Sequence, residues 1–124
     1  MLNALKDCVG ETFLQAQITV LRQLGPKAGK QRTAVLLASL LRSAQENCRG
    51  EEGAAGEIAE LLDLVVDDPS VLVEESHESE LLFDLVDAIC REAGLMAFAE
   101  SDDEEGLAEM ALTEFVAWAR GIDV

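Results

Sequence analysis

Hydrophobic residues recur every three or four positions along most of this chain, which is the period of an α-helix. The first segment, Leu2 to Leu24, has a main apolar stripe formed by Leu2, Leu5, Val9, Phe13, Ala16, Val20 and Leu24. A second flank beside it consists of Leu14, Ile18 and Leu21. Together they predict a helix that is apolar over more than half of its circumference, and such a helix is either central or part of a dimer interface. Gly25-Pro26 is predicted to end it, because Gly suits the position after a helix and Pro cannot continue the hydrogen-bond ladder.

Four further helices are predicted from the same period. They cover about 30–48, 54–66, Ser76 or Glu78 to Ala93, and Ser101 to Gly121. Asp68-Pro69 predicts a capped turn before Val71–Val73, and Ser101 with Glu104 forms an S-x-x-E capping box. No segment alternates with the period of a strand for more than four residues. We therefore expect an all-α fold, a single compact bundle of about five helices formed by residues 1–124.

Size and composition agree with this expectation. A chain of 124 residues is long enough for one domain with a core of its own. Only five residues are aromatic and none is Tyr, so the core should consist mainly of Leu, Val and Ala. Neither a cofactor nor a disulfide is needed to explain folding, and we predict no cofactor.

The cysteines and the first residues of the sequence indicate the cellular compartment of the protein. Cys8, Cys48 and Cys90 are three in number and lie forty or more residues apart, which excludes a full disulfide framework and any CxxC pair. All three fall on or beside apolar helical faces, so buried thiols in a reducing cytosol are expected. The sequence MLNALKD lacks the features of a signal peptide, and no apolar stretch approaches about 20 residues. We predict a cytoplasmic protein with no membrane contact.

Charge divides the chain into two parts. Residues 1–50 carry seven Lys or Arg against three Asp or Glu, net +4, whereas residues 51–124 carry two against twenty-two, net −20. The predicted organisation is a basic helical hairpin, 1–50, followed by acidic helices, 51–124. A segment at −20 repels itself, which suggests that something positive lies nearby or binds to it.

The stretch VEESHESE, residues 73–80, contains the only histidine. On a helix, Glu74, His77 and Glu78 would share a face, and E-x-x-H is half of a di-iron carboxylate pattern. The second half would need another histidine, which the chain lacks. A capped helix start explains these residues better, and we predict no metal site.

Other motifs fail on a required residue. SDDEEG, read as a calcium loop, places Leu112 where a bidentate acid is needed. GPKAGKQ is one residue short of a phosphate loop and lacks its Ser or Thr. The basic turn 27–32 could meet nucleic acid in a regulator of that kind, but the attraction is weak beside a half-chain at −20, so nucleic-acid binding is only an alternative. With one possible histidine base, no catalytic set stands out, and we predict that the protein is not an enzyme.

The leading hypothesis is a non-catalytic protein that covers a basic protein partner, in the manner of an inhibitor, an immunity protein, an antitoxin or a nucleic-acid mimic. Its carboxylates would pair with the partner's Lys and Arg, and dense acidic surface would speed association. The predicted contact residues are Glu74, Glu75, Glu78, Glu80, Asp102, Asp103, Glu104 and Glu105. The alternative is a self-associating assembly module, a homodimer through helices 1 and 2 in which Leu14, Ile18 and Leu21 meet their copies.

Overall fold

The computed structural model describes residues 2–95 and 106–121, and the described chain is helical without any strand. The elements are α1 (Leu2–Val9), α2 (Glu11–Cys48), α3 (Ala54–Asp67), a 3-10 turn (Pro69–Leu72), α4 (His77–Glu92) and α5 (Leu107–Ala119). The predicted all-α class is confirmed. The described ranges hold six helical elements where about five were expected, and their buried apolar residues form one cluster.

Helix α2 folds back on itself at Gly29. Gly29 has φ 84° and ψ 168°, a conformation that Gly adopts without the steric cost a Cβ would bring. A straight helix of 38 residues would be about 57 Å long. The Cα atoms of Cys8 and Cys48 are only 5.3 Å apart, so the two arms of α2 run antiparallel. The predicted hairpin therefore exists, but its turn lies at Gly29, and the helical backbone continues past Gly25-Pro26.

Gly10 separates α1 from α2 and changes which face of the first segment is buried. With φ 89° it interrupts what the apolar period predicted as one helix. The interruption resets the phase of the helix, so Leu14, Ile18 and Leu21 are buried in the core. Phe13, Val20 and Leu24, placed on the main stripe by the sequence, are instead 36%, 37% and 39% exposed. The predicted assignment of the two faces was wrong, and Leu14, Ile18 and Leu21 offer no surface to a second copy in this fold.

The later helices follow their predicted faces closely. Buried apolar residues recur along them at the helical period, among them Ala34, Leu37, Ala38, Leu41, Ala44, Ile58, Leu62, Val65, Leu82, Leu85, Val86, Ile89, Leu107, Ala111 and Phe115. Three residues that the apolar pattern predicted to be buried, Val35, Val73 and Trp118, are exposed instead. Val73 is exposed because the 3-10 turn ends at Leu72, and Trp118 is 42% exposed, with its ring 4.8 Å below the Arg42 guanidinium. A cation–π contact of this kind lets a large aromatic stay partly in solvent.

The ends of the acidic helices are capped by local side chains. The Asp68 carboxylate accepts the Ser70 N–H at 3.2 Å, as its predicted capping role requires. Before α4, the Ser76 hydroxyl accepts the Ser79 N–H at 3.1 Å and the Ser79 hydroxyl accepts the Ser76 N–H at 3.2 Å. The predicted helix start within VEESHESE is thus confirmed. The capping box predicted at Ser101 lies outside the described residues.

A disulfide joins Cys8 at the end of α1 to Cys48 at the end of α2. The expectation of three buried thiols was wrong for this pair. The hairpin in α2 brings the second cysteine back beside the first, across a sequence separation of 40 residues. Cys90 is the free thiol that the sequence predicted, and it is buried in α4.

Thiol titration should distinguish these cysteines. Burial, together with the nearby Asp87 carboxylate, raises the pKa of the Cys90 thiol to about 12, so little thiolate is present at neutral pH. We expect an aromatic disulfide reagent to label no thiol in the native protein and one after denaturation. Denaturation with prior reduction should expose three. A rapid reaction in the native state, or three thiols without reduction, would contradict the assignment.

Candidate interaction surface

The exposed sides of α3 and α4 are strongly acidic. Residues 51–95 contain fourteen Asp or Glu and one Lys or Arg, which is Arg91. The Arg91 Nε atom lies 2.6 Å from the Asp87 carboxylate, so this cation is already paired. Arg49, from the end of the hairpin, lies 3.0 Å from the Asp63 carboxylate. Most carboxylates of this segment therefore have no positive partner among the described residues.

Four of the predicted contact residues lie within the described ranges, all of them before or in the first turn of α4. Glu74 and Glu75 are exposed in the approach to α4, ahead of its first residue. Glu78 and Glu80 lie in the first turn of α4. Because they are two residues apart, they point to different faces of the helix. Glu80 is exposed and Glu78 is half-buried against α3. Asp102, Asp103, Glu104 and Glu105 lie outside the described residues.

A groove runs between α3 and α4, and sequence analysis did not find it. We call it the α3–α4 groove, and its lining residues are Glu57, Glu60, Leu61, Leu64, His77, Glu78 and Leu81. The volume of this recess is about 340 Å³. A second recess of about 200 Å³ shares Glu57, Leu61 and Leu81 with it and extends it toward Ala4 and Ala54. The groove combines an apolar floor with negatively charged carboxylates. An acidic surface that served only to keep the protein soluble would not need the apolar floor.

A third, more polar recess lies where the hairpin meets α3 and α5. It has a volume of about 440 Å³ and is lined by Arg42, Gln45, Glu46, Arg49, Asp63, Val66, Asp67 and Ala119. Its cations are engaged inside the molecule: Arg49 pairs with Asp63, and Arg42 lies over Trp118 and 3.6 Å from the Glu46 carboxylate. The Gln45 amide also donates to Asp63. These contacts connect the basic and acidic halves of the chain. These contacts could have been predicted from the polar stripe on the second predicted helix, which consists of Arg42, Gln45 and Arg49.

Side chains in and before the basic turn 27–32 also make internal contacts. The Arg22 guanidinium donates to the Glu92 carbonyl oxygen at 2.7 Å, and the Gln31 amide donates to the Glu114 carboxylate at 2.8 Å. These bonds connect the hairpin to the end of α4 and to α5. The turn thus contributes to packing between the two halves.

The described residues hold no group of three or more His, Cys, Asp or Glu side chains placed to bind a metal ion. Glu74 precedes the Ser76 cap, so Glu74 and His77 do not share a helical face as the E-x-x-H pattern assumed. Nor does any helix within the described ranges combine the length and apolar character needed to cross a bilayer.

No match to this chain was found among protein-family models, curated proteins or solved structures.

Salt should stabilise the protein. The net charge is −16, and repulsion among the carboxylates of α3 and α4 opposes the compact state. Raising NaCl from about 20 mM to about 300 mM shortens the screening length from roughly 20 Å to below 10 Å. We expect the melting temperature to rise by a few degrees, with an equal rise in KCl. A fall in both salts would mean that attractive ion pairs outweigh the repulsion.

Proposed function

We propose that this protein is a non-catalytic acidic binding protein that covers a basic surface of a partner protein. The observation that supports this most strongly is the charge of residues 51–95, fourteen acids against one Arg that is itself paired. A partner with clustered Lys or Arg would supply the missing positive charge. Because long-range attraction accelerates encounter, such a protein would engage its target quickly.

The proposed mechanism is occlusion. Exposed carboxylates of α3 and α4 pair with the cations that the partner uses to bind its own substrate or nucleic acid. Glu74, Glu75 and Glu80 are exposed, so pairing with them requires no rearrangement of the core. Each exposed pair contributes about 0.2–1 kcal/mol, so useful affinity requires several pairs formed together.

Affinity capture from the native cell extract tests the proposal. Wild-type protein should retain a basic protein at about 50 mM NaCl and release it at about 500 mM, where charges are screened within a few ångströms. A variant with Glu74, Glu75, Glu78 and Glu80 changed to Gln should retain much less. The captured protein's own activity should fall as wild-type protein is added.

A matched variant controls for net charge. Asp7→Asn, Glu11→Gln, Glu46→Gln and Glu109→Gln remove four exposed acids that lie outside residues 51–95. This variant should capture the partner almost as well as wild type. Equal capture by all three proteins at both salt concentrations would reject the acidic surface as the binding site.

Self-association is the alternative function. One observation favours it, although through a different set of residues from the one predicted. Phe13, Val20 and Leu24 are exposed along one stripe of the first arm of α2, at spacings of seven and four residues. Contiguous exposed apolar surface is frequently an interface in soluble proteins. A dimer through this stripe would replace the predicted contact through Leu14, Ile18 and Leu21. Sedimentation of wild type and Val20→Glu decides it, since the substitution would separate such a dimer.

A further inference from the structure

We propose that the α3–α4 groove is the docking site for a basic amphipathic helix of the partner protein. Apolar side chains of that helix would lie on Leu61, Leu64 and Leu81, and its Lys or Arg side chains would pair with Glu57, Glu60 and Glu78. This inference rests on the proposed function, and it adds the position of the contact and the kind of segment that makes it.

The floor of the groove is apolar and accessible. Leu64 is 38% exposed, and Leu61 and Leu81 are partly buried beside it. Leu61 and Leu64 are one turn apart on α3, and Leu81 faces them from α4. Covering such side chains removes apolar surface from water, which is the main favourable term in association. The adjoining recess beside Ala4 and Ala54 lengthens the apolar strip beyond a single side-chain pocket.

The charge of the groove selects the occupant. Glu57, Glu60 and Glu78 line it, and none of them forms an ion pair with another described residue. The arginines nearest in sequence on either side, Arg49 and Arg91, are held by Asp63 and Asp87. An anionic ligand, a nucleic acid or an acidic peptide would be repelled. A segment with Lys or Arg beside apolar residues matches both the floor and the carboxylates.

The walls of the groove favour a helix over an extended segment. Both walls are α-helices, and apart from the N–H groups of their first turns, their backbone N–H and C=O groups are bonded within each helix. The groove therefore offers no free edge to which a strand could add, and an extended segment would bury its own backbone groups without partners. A helix satisfies its backbone internally. Glu57 and Glu60 lie one turn apart, a spacing that cations at i and i+3 or i+4 of a bound helix can match.

The test uses a synthetic probe because the partner is unidentified. The probe is a fluorescent 18-residue peptide of Leu, Lys and Ala, with Leu at helical spacing along one face. A scrambled peptide of the same composition and charge has no apolar face. Binding is measured by fluorescence anisotropy at about 50 mM NaCl, and amide chemical shifts of the protein locate the contact. Melting temperatures confirm that each variant is folded.

Three variants separate the groove from the acidic surface around it. The groove variant carries Glu57→Gln, Glu60→Gln and Glu78→Gln; the flank variant carries Glu74→Gln, Glu75→Gln and Glu80→Gln, with the same net charge. The third is Leu64→Gln. We expect the amphipathic peptide to bind about tenfold more weakly to the groove variant and at most about threefold more weakly to the flank variant. Leu64→Gln should weaken the amphipathic peptide and leave the scrambled peptide unchanged, and shifts should centre on Leu61, Leu64 and Leu81.

Other results overturn the inference in distinguishable ways. If both peptides bind equally, and the groove and flank variants lose equal affinity, the acidic surface binds without the groove, and only the proposed function stands. If neither peptide binds even at low salt, the proposed function fails as well. If wild type sediments as a dimer that Leu64→Gln dissociates, the groove is covered by a second copy and not by a partner helix.

Discussion

Replacing Ile18 with Glu is expected to unfold the protein. Ile18 is fully buried in the first arm of α2, between Leu14 and Leu21 of the same buried face. A carboxylate placed there loses its water and gains no cation, a change that costs several kcal/mol in protein cores. Because domains of this size are stable by only about 5–15 kcal/mol, most or all of the folded population should be lost. Circular dichroism with thermal and urea unfolding would measure the effect.

Val20→Glu is the matched control, two residues along the same helix. Val20 is 37% exposed, so its carboxylate can remain hydrated, and we expect a change in unfolding free energy within about 1 kcal/mol. The pair tests the break at Gly10 directly, because an unbroken helix would bury Val20 with Val9 and Leu24. If Val20→Glu unfolds the chain and Ile18→Glu is tolerated, the burial of α2 described above is wrong.

Reducing the Cys8–Cys48 disulfide is expected to lower the free energy of unfolding by about 4 kcal/mol. The bond closes a loop with a sequence separation of 40 residues, and the chain-entropy relation assigns about that value to a loop of this length. Urea unfolding with and without a reductant measures it. The Cys8→Ser, Cys48→Ser double variant should resemble the reduced protein and no longer respond to reductant, whereas Cys90→Ala should respond as wild type does.

An unfolding midpoint unchanged by reduction would show that the two cysteines are not bonded in solution. The result also bears on location. Disulfides persist in oxidising compartments and are rare in the cytosol, so a confirmed bond would argue against the cytoplasmic location predicted from cysteine spacing. That location remains a prediction.

The predicted hairpin already contained the information needed to expect the Cys8–Cys48 disulfide. The two predicted helices of the hairpin, 2–24 and 30–48, meet at a turn near residue 27. In an antiparallel hairpin centred there, Cys8 lies opposite a residue close to Cys48. Spacing along the sequence shows only that the two cysteines are forty residues apart. The hairpin brings them into contact in space.

The amino-acid sequence by itself determined the helices, most of their ends and the uneven charge. Apolar period and capping chemistry are local, so α3, α4 and their caps at Asp68 and Ser76 could be located from nearby residues alone. The face that a helix buries is less local. A single Gly10 in a positive-φ conformation changed the phase of the first arm of α2, and periodicity could not show whether the helix continues through that residue.

Only the tertiary structure decided how the acidic residues are grouped. The sequence indicated Glu74, Glu75, Glu78 and Glu80 because they are close together in the chain. The fold instead places Glu78 with Glu57 and Glu60 around Leu61, Leu64 and Leu81, residues from two helices that no local pattern relates. The angle and spacing at which α3 meets α4 depend on the whole core packed beneath them. The groove, and with it the proposed docking site, follows from that packing and not from the composition of either helix.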